Sequence, residues 1–448
     1  MAWGRASRGP SPSPIARHAP PQRDEIGGLT HFNMATFALV DGDPACRASN
    51  WNVAENTSNP NTFAPTNLNV SNWVESYKAL GAGYAVLTAK HGCGFLLFDT
   101  KSKLPARLGG GDYNYGVKRS GVPSYPRDVA DEFVTTLRAA GLGTGFYYST
   151  TNNFFTGYVQ GKQLSPLLPG QLNVTSDEFN DIVFQQLGEL WGNYGAFTEV
   201  WLDHGYTPAQ QSRLQMLLLD KQPTAMGFNG LGVSTNPCRW VGTEGGDPTY
   251  PIWSTGTDGT GDPTSPVWNP AVADTTLQLH DSWFFLKDDG IRTLTSLVDV
   301  YHATVGANTV LELDFAIDTT GNVHPSHAAA YKALGDWVRT CYGTPVAGTA
   351  GSGGVFNLTM PGGSAAVDRV IIGEDQTYGQ RIREFTVDAL GPDGKWTVLS
   401  TGSSVGHKRI AIAKAAVTAS VVRLTVTGAT AQPILTGFAA YAPCAPIE

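Results

Sequence analysis

The chain has 448 residues, enough for one large domain and a smaller one. Apolar residues make up 41% and charged residues 15%, which supplies a sizeable core and excludes an intrinsically disordered chain. With a net charge of −8, no basic run and no apolar stretch of the roughly 18 residues that span a bilayer, neither nucleic acid nor a membrane is an expected partner.

Residues 1–27 open as MAWGRASRGPSPSPIARHAPPQRDE, rich in Pro, Ser and Arg and without the apolar centre of an intact signal peptide, and read as a flexible tail. From 28 to 344 short apolar runs alternate with helical patterns. YAVLTA at 84–89 reads as a strand covered on both faces. Residues 127–140 read as a helix with Val129, Phe133 and Leu137 on one face, ended by Gly141 and followed by the strand TGFYY at 144–148. Thr175 and Glu178 have capping-box spacing ahead of a helix that Gly195 closes, and EVWL at 199–202 is the next strand. Residues 294–304, 309–315 and 325–340 continue as helix, strand and helix.

This alternation predicts an α/β fold, a (β/α)8-type barrel, with a doubly wound open sheet as the alternative. No G-x-G-x-x-G follows a strand, so the dinucleotide form of that alternative lacks its phosphate cradle, and GGGDYNYG at 109–116 reads as a surface loop. PVAGTAGSGG at 345–354 has linker composition. Beyond it the period becomes two, predicting an all-β sandwich over 355–448.

Sequons at Asn56, Asn69, Asn173 and Asn357 point to a secreted, extracellular glycoprotein. None of the five cysteines has metal-ligand spacing. Their odd number leaves at least one thiol free if the others pair, and Cys341 and Cys444 flank the second domain in a position to staple it.

In a parallel barrel, catalytic groups gather at the C-terminal ends of the strands. His31, His91, Tyr148, Asp203, Glu244 and Trp283 fall at or just beyond such ends. A His or an aromatic there is ordinarily core packing, and only the shared position singles these out. Asp203 differs, because a carboxylate directly after Val-Trp-Leu is costly to bury unless it is paired or functional. Asp203 and Glu244, 41 residues apart, suit glycoside hydrolysis, in which one carboxylate attacks the anomeric carbon and another protonates the leaving oxygen; in retaining enzymes the two lie about 5–5.5 Å apart. By spacing alone Asp99, Asp247, Glu312 and Asp314 could fill either role.

Over about residues 28–342 the chain resembles glycoside hydrolase family 29, the α-L-fucosidases. The resemblance rests on THFNMATF, on FAPTNLNVSNWVESYKALGAGYAVLTAKHGCGFLLFDTK, on RDVADEFVTTLRAAGLGTGFYYS, on ELWGNYGAFTEVWLDHG, on RWVGTEGG and on the last βα unit, YHATVGANTVLELDFAIDTTGNVHPSHAAAYKALGDWV. It implies a retaining enzyme that removes terminal α-L-fucose from glycans or oligosaccharides, with Asp203 as nucleophile, Glu244 as acid/base, and His31, Trp51, His91, Tyr148 and Trp283 as sugar contacts. No metal or organic cofactor is implied, and the C-terminal part resembles the galactose-binding-like sandwich often appended in the family. Three departures stand out. Gly92 and Cys93 replace the second His and the Asp of the family's KHHDGF run, Asn50 replaces a Glu, and PAVAD at 270–274 lacks the Glu of a PAECD-like segment. They leave open another glycosidase specificity, a transfucosylase, or a non-catalytic fucose-binding protein. The sandwich either binds glycans or buttresses the barrel, and the sequence does not set the oligomeric state.

Overall fold

A computed structural model describes residues 24–37, 39–40, 43–44, 59–117 and 125–447. Eight parallel strands close a barrel: β1 (Ile26–His31), β2 (Tyr84–Lys90), β3 (Gly143–Ser149), β4 (Glu199–Asp203), β5 (Met226–Phe228), β6 (Pro237–Trp240), β7 (Ala271–Thr275) and β8 (Thr309–Ala316). They neighbour one another in chain order, and β1 pairs with both β2 and β8, so the sheet has no free edge. The open-sheet alternative is thereby excluded.

Six α-helices among the described residues cover the barrel: α1 (Val70–Leu80), α2 (Val129–Ala139), α3 (Ser176–Asn193), α4 (Gln211–Lys221), α5 (Leu294–Ala303) and α6 (Pro325–Tyr342). Their ends follow local chemistry. Asp128 accepts from the Asp131 amide at the start of α2, and Thr175 and Glu178 form the reciprocal capping box of α3. The segments joining β5 to β6 and β6 to β7 contain no helix; the first turns back tightly and the second is a long loop.

Strand residues alternate between two environments. Leu29, Tyr84, Val86, Tyr147, Trp201, Met226, Phe228, Cys238, Val272 and Val310 pack together inside the barrel. Their neighbours, such as Leu87, Phe146, Tyr148, Val200, Leu202 and Leu311, join the larger core beneath the helices. Gly27 leaves the room that Tyr84 fills, since a Cβ there would lie 2.5 Å from the Tyr84 ring.

The second domain is a two-sheet antiparallel sandwich. Its strands are β9 (Ala347–Ser352), β10 (Val355–Thr359), β11 (Ala365–Glu374), β12 (Ile382–Leu390), β13 (Trp396–Gly402), β14 (Arg409–Ala419), β15 (Val421–Ala429) and β16 (Ile434–Tyr441). One sheet runs β9-β16-β11-β14 and the other β10-β15-β12-β13. Two boundaries differ from the sequence reading. The barrel begins at Ile26, not Gly28, and the stretch read as a linker is strand β9, paired with β16. It is an edge strand with a mostly exposed face, so Gly, Ala, Ser and Thr suffice where the backbone supplies the pairing. In GGGDYNYG the first three glycines are exposed, but Tyr113, Tyr115 and Gly116 are buried.

Cys341 at the end of α6 is disulfide-bonded to Cys444 beyond β16, which ties the last strand to the barrel's last helix. Cys93 is disulfide-bonded, and Cys238 is a buried free thiol. The domains also share polar contacts. Ser254 donates to Gln376 at 2.7 Å, the His407 amide donates to Asn308 at 2.7 Å, and the Tyr250 hydroxyl donates to the Ser404 carbonyl at 2.9 Å. Among the described residues, no helix is long and apolar enough to cross a membrane.

Candidate active site

The two-residue period that fills the barrel interior also builds its C-terminal rim. Continuing inward from Leu29, Tyr147, Trp201 and Val272 brings His31, Ser149, Asp203 and Asp274 to the strand ends. His91 follows β2 directly. Glu244 lies four residues beyond β6, in a loop joined to β7 by a bridge between Gly245 and Thr275, and Trp283 comes from the long segment between β7 and α5. His31, His91, Tyr147, Asp203, Glu244, Asp274 and Trp283 line one cavity of about 270 Å³, with Leu29 and Trp201 deeper along their strands and Phe154 and Val159 adding apolar wall. Pockets for drug-sized ligands run from about 300 to 1,000 Å³, so this one suits a single sugar ring.

Each polar group has a defined surrounding. The Tyr147 hydroxyl lies beside Asp203, whose charge adds to the rise that burial imposes on its pKa, and His204 Nε2 lies 3.6 Å from Asp203 Oδ1. The Tyr147 ring stacks on Trp201, centroids 4.8 Å apart, and on His91 at 5.5 Å, which fixes its angle toward the carboxylate. Trp283 Nε1 donates to Glu244 Oε2 at 3.1 Å, and its ring lies 5.0 Å from that of His31. His31 Nδ1 is 2.8 Å from Asp314 Oδ1, leaving Nε2 as the ring atom available to a ligand. Burial holds the His31 pKa well below its ordinary value, so the ring is neutral.

Burial also lowers His91 to about 4, against the pull of the Asp203 charge. His91 Nδ1 is buried without a hydrogen-bond partner among the described residues. Lys90 is wholly buried and pushed down to about 7 by desolvation, with Asp203 drawing it back up; its ammonium donates to the Ser149 and Asn152 carbonyls. Asp274 is raised to about 7, chiefly by burial, with the Glu312 and Glu244 charges adding to the rise and a 2.6 Å hydrogen bond from Trp240 Nε1 opposing it.

Of the residues singled out from sequence, His31, His91, Asp203, Glu244 and Trp283 meet in this cavity. Tyr148 does not. It is in the opposite phase of β3, buried beneath α3, where its hydroxyl donates to Gln186 at 2.6 Å, and the aromatic facing the cavity is Tyr147. Trp51 and Asn56 lie outside the described residues. Asn69, Asn173 and Asn357 are exposed. Of the competing carboxylates, Asp99 is on the surface, Asp247 accepts from Thr243 within its own loop, Glu312 is sealed inside the barrel and Asp314 backs His31. Sequence reasoning missed Tyr147 and Asp274. The phase of Asp203 carried across the β3–β4 pairing, in which Tyr147 faces Trp201 and Ser149 faces Asp203, points to Tyr147. Asp274 follows Val272 by two positions.

The sequence profile of the alpha-L-fucosidase family matches residues 48–343, about two thirds of the chain. The chain belongs to the alpha-L-fucosidase family, glycoside hydrolase family 29. Alpha-L-fucosidase 1 of Arabidopsis thaliana is 23% identical over 96% of this chain and 87% of its own length. A crystal structure from Bacteroides thetaiotaomicron VPI-5482 is 29% identical, superimposes with a TM-score of 0.81, and covers 94% of this chain and 97% of its own. The Ruminococcus gnavus GH29 fucosidase, solved in complex with fucose, is 20% identical with a TM-score of 0.77, covering 98% of this chain and 97% of that one. The agreement extends through the sandwich, so this alpha-L-fucosidase-family chain shares both domains with its structural relatives.

Within this fold the departures acquire local explanations. Gly92, where the resemblance leads one to expect a second His, lines the cavity without a side chain, and Cys93 beside it is buried in a disulfide. Asn50 lies outside the described residues.

Proposed function

We propose that this glycoside hydrolase is a retaining, exo-acting α-L-fucosidase that releases terminal α-L-fucose from glycans or oligosaccharides. The observation that carries the reading is the convergence of Asp203 and Glu244 on one cavity sized for a single sugar. The Asp203 carboxylate attacks the anomeric carbon while Glu244 protonates the departing glycosidic oxygen, giving a covalent fucosyl-enzyme. Glu244 then takes a proton from water, which displaces Asp203 and leaves fucose with its original configuration. Tyr147 orients Asp203 and Trp283 orients Glu244. His31 and His91 bind ring hydroxyls, and the apolar rings bordering them accept the C–H face and methyl of a deoxy sugar. The Ruminococcus gnavus relative holds fucose itself.

Azide rescue separates the two carboxylate roles. Asp203→Ala with azide and an activated α-L-fucoside should yield β-L-fucosyl azide, and Glu244→Ala should yield α-L-fucosyl azide. Exchange of these stereochemical outcomes would reverse the assignment, and cleavage of another glycoside in preference to the fucoside would move the substrate.

We also propose that the chain is secreted and N-glycosylated. The Cys341–Cys444 bond suits an oxidising compartment, and three sequon asparagines are exposed. A mass shift on enzymatic deglycosylation of the natively expressed protein checks this, and an unchanged mass refutes the glycosylation.

A further inference from the structure

Trp240 is the last residue of β6. Cys238, two positions earlier, packs inside the barrel, so the strand's alternation carries Trp240 to the inner rim. It is 39% exposed. It is also fixed, since its Nε1 donates at 2.6 Å to Asp274, a buried carboxyl that lines the sugar cavity. Yet Trp240 is not part of the lining of that cavity. It therefore stands just outside the first sugar, with its edge anchored and part of its ring surface free.

The side on which it stands is set by the chain. Glu244 follows four residues later, and its loop is bridged to β7 next to Asp274 through Gly245 and Thr275. The residue that protonates the leaving oxygen must face the leaving group. On the reading of Glu244 as acid/base, on which this inference rests, the saccharide that carries the fucose departs across Trp240.

We propose that Trp240 is the stacking platform of a leaving-group subsite, taking the C–H face of the neutral pyranose to which fucose is attached. A rigid indole held by one hydrogen bond offers contact area at little entropic cost. The neighbouring acidic residues of the cavity rim, Glu244 and Asp274, favour a neutral unit over an acidic one.

The test compares two substrates that share the fucosyl group, α-L-fucosyl fluoride, whose leaving group is a single atom, and a reducing fucosyl-oligosaccharide of neutral sugars. For Trp240→Ala, the kcat/KM ratio of oligosaccharide to fluoride should fall roughly tenfold, equivalent to about 1.4 kcal/mol. Trp240→Phe, which keeps a ring but lacks the N–H, should retain most of that ratio. An unchanged ratio in Trp240→Ala, with both substrates slowed alike, would show that Trp240 acts only through Asp274 on the first sugar and would overturn the proposal. Equal loss of the ratio in the Phe and Ala variants would overturn it too, by making the N–H and not the ring the recognition element. Failure of the wild-type protein to hydrolyse either substrate would instead refute the fucosidase reading beneath it.

Discussion

The barrel interior holds two groups of acidic residues, one above the other, and they behave differently. At the C-terminal rim, Asp203, Glu244 and Asp274 border a cavity. One layer down, Glu199 and Glu312 are wholly buried among Tyr84, Trp201 and Cys238. There the Tyr84 hydroxyl and Trp201 Nε1 donate to the two oxygens of Glu312 at 2.8 and 2.9 Å, and Glu199 lies against Glu312. Burial and the Glu312 charge push Glu199 well above the usual carboxylate range, so it carries the shared proton. In the lower group both oxygens of Glu312 are satisfied by protein donors, and the pair is closed to ligand. The upper group has fewer protein partners and faces space. Residue type does not separate a structural acid from a functional one; what completes its hydrogen bonds does. The layers are also joined, because Trp201, fixed by Glu312 below, stacks on Tyr147, which orients Asp203 above.

The largest expected contrast is between one member of each layer. Asp203→Ala should lower kcat by about 10⁴-fold or more while the thermal midpoint stays level or rises, because a desolvated carboxylate is removed from an unfilled site. Hydrolysis of 4-nitrophenyl α-L-fucoside alongside a melting curve measures both, and near-full turnover would exclude Asp203 as nucleophile. Glu312→Ala should do the reverse. It orphans two buried donors and costs about 3–5 kcal/mol of barrel stability, read from the denaturant midpoint. Glu312→Gln, which still accepts, should cost less. If Glu312→Ala left the midpoint in place, the lower layer would not be a structural unit.

A smaller effect tests the boundary between the layers. Asp274 is raised from an unfolded value near 3.8 to about 7. The folded state therefore binds more protons than the unfolded one between those values, and stability falls as pH rises through that window. Asp274→Asn keeps an acceptor for Trp240 but cannot ionise. Its stability relative to wild type should grow from about pH 4 to about pH 7 and then level off, the total gain being at most about 4 kcal/mol. Denaturant midpoints at several pH values decide this, and a difference independent of pH would mean that Asp274 is not perturbed in the folded protein.

The barrel, its long strands and the α3 capping box were legible because apolar runs and cap spacing are local signals. β5 was not, since three residues without a following helix leave no period to count, and β6 showed only as the short strand ahead of Glu244. Strand β9 hid in linker composition because an exposed edge strand needs no apolar face. Asp203 and Glu244 could be found from position in the chain and family resemblance. Asp274 escaped because its effect depends on burial beside Glu244 and on Trp240, contacts between strands that no local pattern encodes. The Cys341–Cys444 pairing was suggested by their places on either side of the second domain, and the fold brings the two ends together.

The smallest predicted effect is the sharpest on phase. Tyr147 and Tyr148 are adjacent and both almost fully buried, so composition and burial do not distinguish them. Direction does. Tyr147 shares its side of the sheet with Trp201 and lies beside Asp203, while Tyr148 faces α3 and bonds Gln186. Tyr147→Phe removes the hydroxyl beside the Asp203 carboxyl and should cut kcat/KM by roughly 10- to 100-fold, with little change in melting. Tyr148→Phe removes a neutral bond inside the helical layer and should cost about 1 kcal/mol of stability with little change in turnover. A swap of these outcomes would mean that β3 is displaced by one residue. Because a one-residue slip exchanges every side chain between the cavity and the helices, it would also remove the route by which Trp201 supports the Asp203 carboxylate.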